Sequence, residues 1–171
     1  MVKRKGYHKK YNKQMIGGGT YGIYENDIYD QFVKNNINFN GKRCLDIGTR
    51  NGLNCLTLKR LGASKVIGID IDDSQFRVIQ NRNIQLIHKD LLQMNETSKF
   101  DVITCFLWNM PIPQYDHIML KIKSLLDVNG IVYIGIHDEL YKFDIYGGSV
   151  PNLLNRNFSD VSVLDRSNIF Q

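Results

Sequence analysis

The sequence lacks a long hydrophobic run, and its first residues lack any acidic side chain. No apolar stretch approaches the ~18 residues that a membrane span needs, and the start, MVKRKGYHKKYNKQM, has no apolar segment of a secretory signal. Only three cysteines are present, Cys44, Cys55 and Cys105, and their spacing is not that of metal ligands. We therefore expect a cytoplasmic protein with no membrane segment, no metal site, and buried thiols in a reducing compartment.

Positive charge is concentrated at the start of the chain. The net charge is +5, but six basic residues precede the first acid, Glu25, and the remainder is nearly neutral. A basic segment interleaved with Tyr7, His8 and Tyr11 can hold phosphates and stack on bases, although such segments are often only solvated. Residues 1–16 are therefore predicted to be a basic, flexible tail in which residues 3–13 can contact RNA, and residues 17–171 a single domain.

Short apolar runs alternate with helical or polar segments from Lys42 onward, which predicts a mostly parallel sheet with crossover helices. The predicted strands are Arg43–Ile47, Lys65–Ile69, Gln85–His88, Asp101–Phe106 and Gly130–Ile136.

Helical spacing of apolar residues predicts helices over Leu53–Leu61 and Gln114–Leu126, with a shorter one over Asp27–Val33. The segments Val161–Leu164 and Ile169–Phe170 flank a turn and predict an antiparallel C-terminal edge. The predicted fold is thus three-layer α/β.

The segment Cys44–Gly52, CLDIGTRNG, is a strand that enters a glycine loop and then a helix. Glycines let a ligand approach the backbone, and a helix N-terminus offers unpaired amides to an anion. Asp70 follows at the tip of the second predicted strand, where an acid can accept hydrogen bonds from ribose hydroxyls. These features predict a nucleotide site at one sheet edge.

With these residues, Leu45-Asp46-Ile47-Gly48-x-x-x-Gly52 followed by Ile67-Gly68-Ile69-Asp70, the chain resembles the class I, Rossmann-like S-adenosylmethionine-dependent methyltransferases from about Gly41 to Gly135. The resemblance implies that Asp46 works near the amino-acid end of S-adenosylmethionine, that Asp70 binds its ribose and that Asp90 accepts from its adenine amine. It places the other cofactor contacts at Gly48, Thr49, Arg50, Asn51, Gly52, Ile71, Leu91 and Phe106.

Arg50 departs from the family pattern, which usually has glycine at this position. Its guanidinium can pair with the cofactor carboxylate, or its bulk can block the same site. The first alternative implies a working enzyme, and the second a methyltransferase-like binding subunit whose cofactor site has decayed.

The residues expected to lie beside the methyl acceptor form a less specific sequence pattern. Asn109, in WNMPIP, invites comparison with the motif of amine-methylating enzymes, but it lies too far beyond Asp101 for their register. His137 and Asp138 follow the fifth predicted strand, where His137 can act as a general base or merely cap the strand. We therefore expect methyl transfer to oxygen or nitrogen of a small acceptor such as a sugar, nucleotide or metabolite, with RNA methylation as the rival. The sequence leaves the oligomeric state open.

Overall fold

The sheet forms from the five apolar runs that the sequence marks out. A computed structural model of the chain describes residues 32–34, 36–77, 80, 82–95, 97–106, 115–135 and 150–160. All five predicted strands are confirmed to within a few residues: β1 (Arg43–Ile47), β2 (Lys65–Asp70), β3 (Ile84–His88), β4 (Phe100–Phe106) and β5 (Leu126–Gly135).

The strand order is β3-β2-β1-β4-β5, and every pairing between these strands is parallel. The chain runs outward from β1 through β2 to β3, and then crosses back to place β4 on the other side of β1. Such a reversal opens a crevice at the carboxyl ends of the strands. At that edge, Ile47 of β1 pairs with both Ile69 and Cys105, so the residues that follow these strands start side by side.

Three helices of at least eight residues are described: α1 (Leu53–Arg60), α2 (Tyr115–Leu125) and α3 (Val150–Asn157). The first two confirm the predicted helices to within a residue, whereas α3 was not predicted. Two short 3-10 turns, Asp73–Gln75 and Leu91–Gln93, follow β2 and β3.

Alternation along the strands divides the side chains between two faces. Residues such as Leu45, Ile67 and Ile103 belong to the buried cluster that includes Met119 and Ile122 of α2. Their neighbours in the strands face α1, as the contacts of Asp46 with Asn54 show. Helices on both faces of one sheet give the predicted three-layer α/β arrangement.

By its internal contacts the chain divides into a unit of residues 1–37 and a unit of residues 38–171. In the described part of the first unit, the amide of Ile37 donates to the carbonyl of Phe32, 3.1 Å away, after a helical turn at residues 32–34. The predicted boundary at residues 16 and 17 lies outside the described residues.

The predicted antiparallel edge, on residues 161–164 and 169–170, also lies outside the described residues. Within the described ranges, no helix is long and apolar enough to cross a membrane. All three cysteines are buried and unpaired, as predicted, and burial raises the pKa of Cys44 to about 12.

Candidate nucleotide site

The loop after β1 passes through the left-handed region of backbone conformation at three alternate residues. Gly48 has φ 73°, Arg50 has φ 51° and Gly52 has φ 82°. The amides of Gly48 and Thr49 both donate to the carbonyl of Ile69, at 2.9 and 3.0 Å, which ties the loop to the end of β2. Among the described residues, a Cβ built on Gly48 would meet no atom within 4 Å. The loop therefore leaves open space beside its backbone at the carboxyl edge of the sheet.

Arg50 adopts a conformation that is unfavourable for a side chain, which explains why glycine suits this position. Its amide donates to Oδ2 of Asp70 at 2.8 Å. The amide of Gly52 donates to the carbonyl of Thr49, and that of Leu53 to Oδ1 of Asn51. The expectation of unpaired loop amides was thus wrong for these residues, because the loop uses them to fix its own shape.

Asp70 ends β2 and is half-buried. While Oδ2 accepts from Arg50, Oδ1 accepts from the amide of Asp72 at 3.1 Å. Each carboxylate oxygen has two lone pairs, so both can accept a further bond. Two backbone bonds therefore hold the carboxylate beside the loop in a fixed orientation and leave it able to bind a diol.

Asp90 and Leu91 follow β3 in different environments. Asp90 is half-buried and its Oδ1 caps the next turn by accepting from the amide of Leu92 at 2.9 Å. Leu91 is only 7% exposed and belongs to the apolar core cluster. Ile71, after β2, is by contrast 72% exposed. Of Ile71 and Leu91, both assigned to the cofactor, Ile71 thus has the accessible surface.

Asp46 is almost completely buried at the base of the loop. Its Oδ1 accepts from Nδ2 of Asn54 at 2.6 Å and from Oγ1 of Thr104 at 2.7 Å, and the thiol of Cys55 lies 3.7 Å from Oδ2. Burial raises the pKa of Asp46, and the hydrogen bonds oppose that rise. Asp46 therefore anchors a buried polar cluster, Asp46–Asn54–Cys55–Thr104, that joins β1, α1 and β4.

Sequence reasoning missed Asn54 and Thr104. The signal that could have found them is a polar residue on the inner face of an otherwise apolar element, as in FDVITCF of β4. Asn54 has one further property: its Oδ1 is buried and has no hydrogen-bond partner among the described residues. A buried acceptor without a donor costs free energy, which marks this atom as a candidate ligand contact.

Gly68 of β2 is packed so closely by its neighbours that there is no room for a side chain. A Cβ there would lie 2.7 Å from Sγ of Cys55, 2.7 Å from Oγ1 of Thr49 and 2.9 Å from Cδ2 of Leu86. Thr49 and Cys55 are themselves 3.1 Å apart through Oγ1 and Sγ. The absent side chain thus lets α1 and the loop pack directly onto β2.

Phe106 ends β4 at the same sheet edge, but only its backbone is described. The acceptor-side residues Asn109, His137 and Asp138 lie outside the described residues, so their assigned roles stay predictions. The part of the chain that the structure describes contains no group of three or more His, Cys, Asp or Glu side chains that could hold a metal ion.

A family model described as a methyltransferase domain matches residues 21–169. The ribosomal protein L11 methyltransferase of Fusobacterium nucleatum is 30% identical over 121 residues, which cover 64% of this chain and 39% of that protein. The ubiquinone biosynthesis O-methyltransferase of Coxiella burnetii is 26% identical over 146 residues, covering 79% of this chain and 62% of that protein. The chain thus spans less than two thirds of either relative.

The fold is also found in a solved structure. The crystal structure of an S-adenosylmethionine-dependent methyltransferase from Clostridium acetobutylicum superimposes with a TM-score of 0.55 at 18% identity. The match covers 80% of this chain and 59% of that one. At this identity the comparison confirms the Rossmann-like methyltransferase fold.

Proposed function

Because the chain belongs to the methyltransferase-domain family whose model matches residues 21–169, we propose that it binds S-adenosylmethionine at the carboxyl edge of its sheet and transfers the methyl group to a small acceptor. The observation that carries this proposal is the carboxylate of Asp70, held beside the glycine loop by the amides of Arg50 and Asp72.

The residues after β2 and β3 suit the nucleoside end of S-adenosylmethionine. Asp70 accepts from the vicinal ribose hydroxyls through its remaining lone pairs, as an acid in this position does in dinucleotide-binding folds. Ile71, 72% exposed, offers an apolar surface to the adenine ring, and Asp90 accepts from the adenine amine. Asp90 also fixes the following turn through Leu92, so the same carboxylate shapes this part of the site.

The amino-acid end fits the loop and the polar cluster behind it. The space beside Gly48 admits a ligand to the loop backbone. The ammonium group can donate to the buried Oδ1 of Asn54, the acceptor without a partner among the described residues. Asp46 acts through Asn54, because its Oδ1 accepts from Nδ2 and so fixes which end of the amide is left to accept. The guanidinium of Arg50 pairs with the cofactor carboxylate.

S-adenosylmethionine, when bound, supplies an electrophilic methyl group on a sulfonium. The chain has to hold the acceptor in line with that group, and alignment supplies most of the rate. We assign His137 as the base for a hydroxyl acceptor, with Asn109 and Asp138 as further acceptor-side residues. The acceptor atom is oxygen or nitrogen of a sugar, nucleotide or metabolite, and the protein works in the cytoplasm.

RNA methylation is the second candidate, and the basic residues before Glu25 favour it. The test is methyl transfer from radiolabelled cofactor to total RNA and to a panel of small hydroxyl and amine compounds, at two salt concentrations. Phosphate contacts make RNA binding fall steeply with salt. Transfer to a small compound that is insensitive to salt and to glutamine replacement of the lysines in residues 3–13 supports the proposal. Salt-sensitive transfer to RNA alone overturns it.

A further inference from the structure

Basic side chains collect at the edge of the sheet where the strands begin. The five strands are parallel, so their first residues share one edge, opposite the carboxyl edge that holds the proposed cofactor site. Helix α1 connects β1 back to the start of β2 and ends in Lys59 and Arg60. Six basic residues therefore lie at this edge, and we call them the amino-edge set: Arg43, Lys59, Arg60, Lys65, Arg82 and Lys99.

Contacts place several members of this set side by side. Arg43 of β1 is in register with Lys65 of β2, and neighbouring strands lie ~4.8 Å apart. Nζ of Lys59 lies 3.3 Å from the carbonyl oxygen of the residue that precedes Lys65. On the other side of β1, the guanidinium of Arg43 lies 4.7 Å from the ring centre of Phe100, which follows Lys99. The basic groups thus form a row across the starts of β2, β1 and β4.

Few acidic groups oppose this row. Near the starts of the five strands, the acids among the described residues are Asp101 and Asp127. Asp101 is already bound, because it lies 3.5 Å from Nζ of Lys42 and accepts from the amide of Arg43 at 2.8 Å. The amino-edge set therefore has a clear excess of positive charge.

The carboxyl edge has the opposite excess. At the ends of β1, β2 and β3, described acids outnumber described bases, with Asp46, Asp70, Asp72, Asp73 and Asp90 against Arg50, Arg77 and Lys89. The near-neutral total charge of the chain after its basic start thus hides a separation between two edges. Such a field attracts a polyanion to the amino edge rather than to the cofactor side.

The chemistry of the amino edge suits the phosphates of a nucleic acid. A duplex carries one negative charge per ~1.7 Å of its axis, so a row of cations meets phosphates in any register. The aromatic rings described near this edge, Phe39 and Phe100, are buried, so bases have no ring there on which to stack. The contact is consequently with the backbone and does not depend on base sequence.

A membrane surface suits this edge less well. Peripheral membrane segments insert apolar side chains beside their basic ones. Within the described ranges, none of the exposed large apolar side chains adjoins a member of the amino-edge set in the sequence. The charge is therefore present without the apolar groups that would anchor it in lipid.

We propose that the amino-edge set is a docking surface for the phosphate backbone of a nucleic acid, separate from the cofactor site. The five residues of β1 span roughly 16 Å between the two edges, at ~3.3 Å per residue. A nucleic acid docked at the amino edge thus leaves the carboxyl edge open to cofactor and acceptor. The proposal does not rest on the proposed function, and it assigns binding to the folded domain rather than to residues 3–13.

The test uses the full chain with the five lysines of residues 3–13 replaced by glutamine, which brings the net charge from +5 to zero. In this background, the amino-edge pair Arg60→Gln with Lys99→Gln is compared with the control pair Arg77→Gln with Lys89→Gln. Each pair removes one arginine and one lysine, so both variants have the same net charge. Fluorescence anisotropy measures binding of labelled single-stranded RNA and DNA of about 20 nucleotides between about 50 and 200 mM salt.

The background protein should bind both nucleic acids with an affinity that falls as salt rises. The amino-edge pair should reduce the slope of log affinity against log salt by about 1–2, because each phosphate contact on a single strand contributes about 0.7. The control pair should keep the slope of the background. The tighter of the two probes identifies which nucleic acid the surface prefers.

Three results would refute the docking surface. They are no binding by the background protein at the lower salt, an equal loss of slope in both pairs, and binding to phosphatidylserine vesicles or polyglutamate but to neither nucleic acid. Thermal unfolding and titration with S-adenosylhomocysteine accompany each variant. Loss of cofactor binding in the amino-edge pair alone would contradict the separation of the two sites. No cofactor binding by wild type would overturn only the proposed function.

Discussion

Replacement of Arg50 tests whether its side chain supports cofactor binding or blocks the cofactor site. It also changes the stability of the backbone at this position, which we consider first. Arg50 has φ 51°, a conformation that costs a non-glycine residue roughly 1–2 kcal/mol. Arg50→Gly relieves that cost, but it also gives the unfolded chain more freedom, worth about 0.4–1 kcal/mol. We therefore expect Arg50→Gly to raise the free energy of unfolding by roughly 0–1.6 kcal/mol. Arg50→Ala keeps the backbone cost and should bring no such gain.

Cofactor binding depends on the guanidinium, which both variants lack. A charge-assisted hydrogen bond contributes about 1.5–3 kcal/mol at most, and solvent screening of the half-exposed side chain reduces this. Both variants should consequently bind S-adenosylhomocysteine about three- to ten-fold more weakly than wild type. The assays are calorimetric titration and denaturant unfolding. Arg50→Lys keeps the charge but not the planar guanidinium, so its affinity should lie between that of wild type and that of the other two variants.

An equal loss of affinity in Arg50→Gly and Arg50→Ala identifies the missing side chain as the cause, because only Arg50→Gly changes the backbone preference. A loss in Arg50→Gly alone would instead indicate that the loop and its bond to Asp70 had moved. Tighter binding in both variants would refute the pairing of Arg50 with the cofactor carboxylate and favour an obstructed site.

Gly68→Ala should lower the free energy of unfolding by about 1–3 kcal/mol, because the new Cβ would lie 2.7 Å from atoms of Cys55 and Thr49. Unchanged denaturant midpoints would show that this contact is easily relieved. Gly48→Ala meets no atom of the described residues within 4 Å but has φ 73°, so it should cost roughly 1 kcal/mol of stability and, by filling the open space, weaken binding of S-adenosylhomocysteine. Full affinity in this variant would contradict the proposed approach of the ligand. Burial raises the pKa of Asp46 in the folded chain. The carboxyl of Asp46 therefore contributes to stability below its pKa in the unfolded chain, near 4, and this contribution is lost as pH rises through its pKa in the folded chain. Urea unfolding from about pH 4 to pH 7 should therefore increasingly favour Asp46→Asn over wild type, and parallel pH profiles would contradict the raised pKa.

The strands were predictable because a parallel sheet is covered on both faces, so each strand is a continuous apolar run. The β1 prediction, Arg43–Ile47, matches the structure at both ends. The start of β5 was misplaced, since the predicted start was Gly130 whereas the strand begins at Leu126. Asp127 and Asn129 break the apolar run there without ending the strand. Helix α3 was missed because its sequence, VPNLLNRN, is short and half polar and offers few apolar positions to show a period.

Site residues were predictable where a residue type marks the end of a strand, as for Asp70. They were not predictable where the role of a residue depends on its neighbours in other strands. The register between β1 and β4 places Thr104 beside Asp46, and a sequence read one segment at a time does not show that pairing. The link from Arg50 to Asp70 was likewise hidden, because it uses the backbone amide rather than the side chain. Both are long-range contacts that only the folded chain creates.

The measurement that tests the central claim most directly is calorimetric titration of wild type, Asp70→Ala and Asp116→Ala with S-adenosylhomocysteine. Asp116 is exposed in the first turn of α2, is not among the residues assigned to the site, and serves as the control. Two hydrogen bonds to a carboxylate at roughly 1.5–3 kcal/mol each set an upper bound that water reduces. Wild type and Asp116→Ala should therefore bind saturably with equal affinity, and Asp70→Ala should bind about ten-fold or more weakly. No binding by wild type, or equal affinity in Asp70→Ala, would contradict a cofactor site built on this carboxylate.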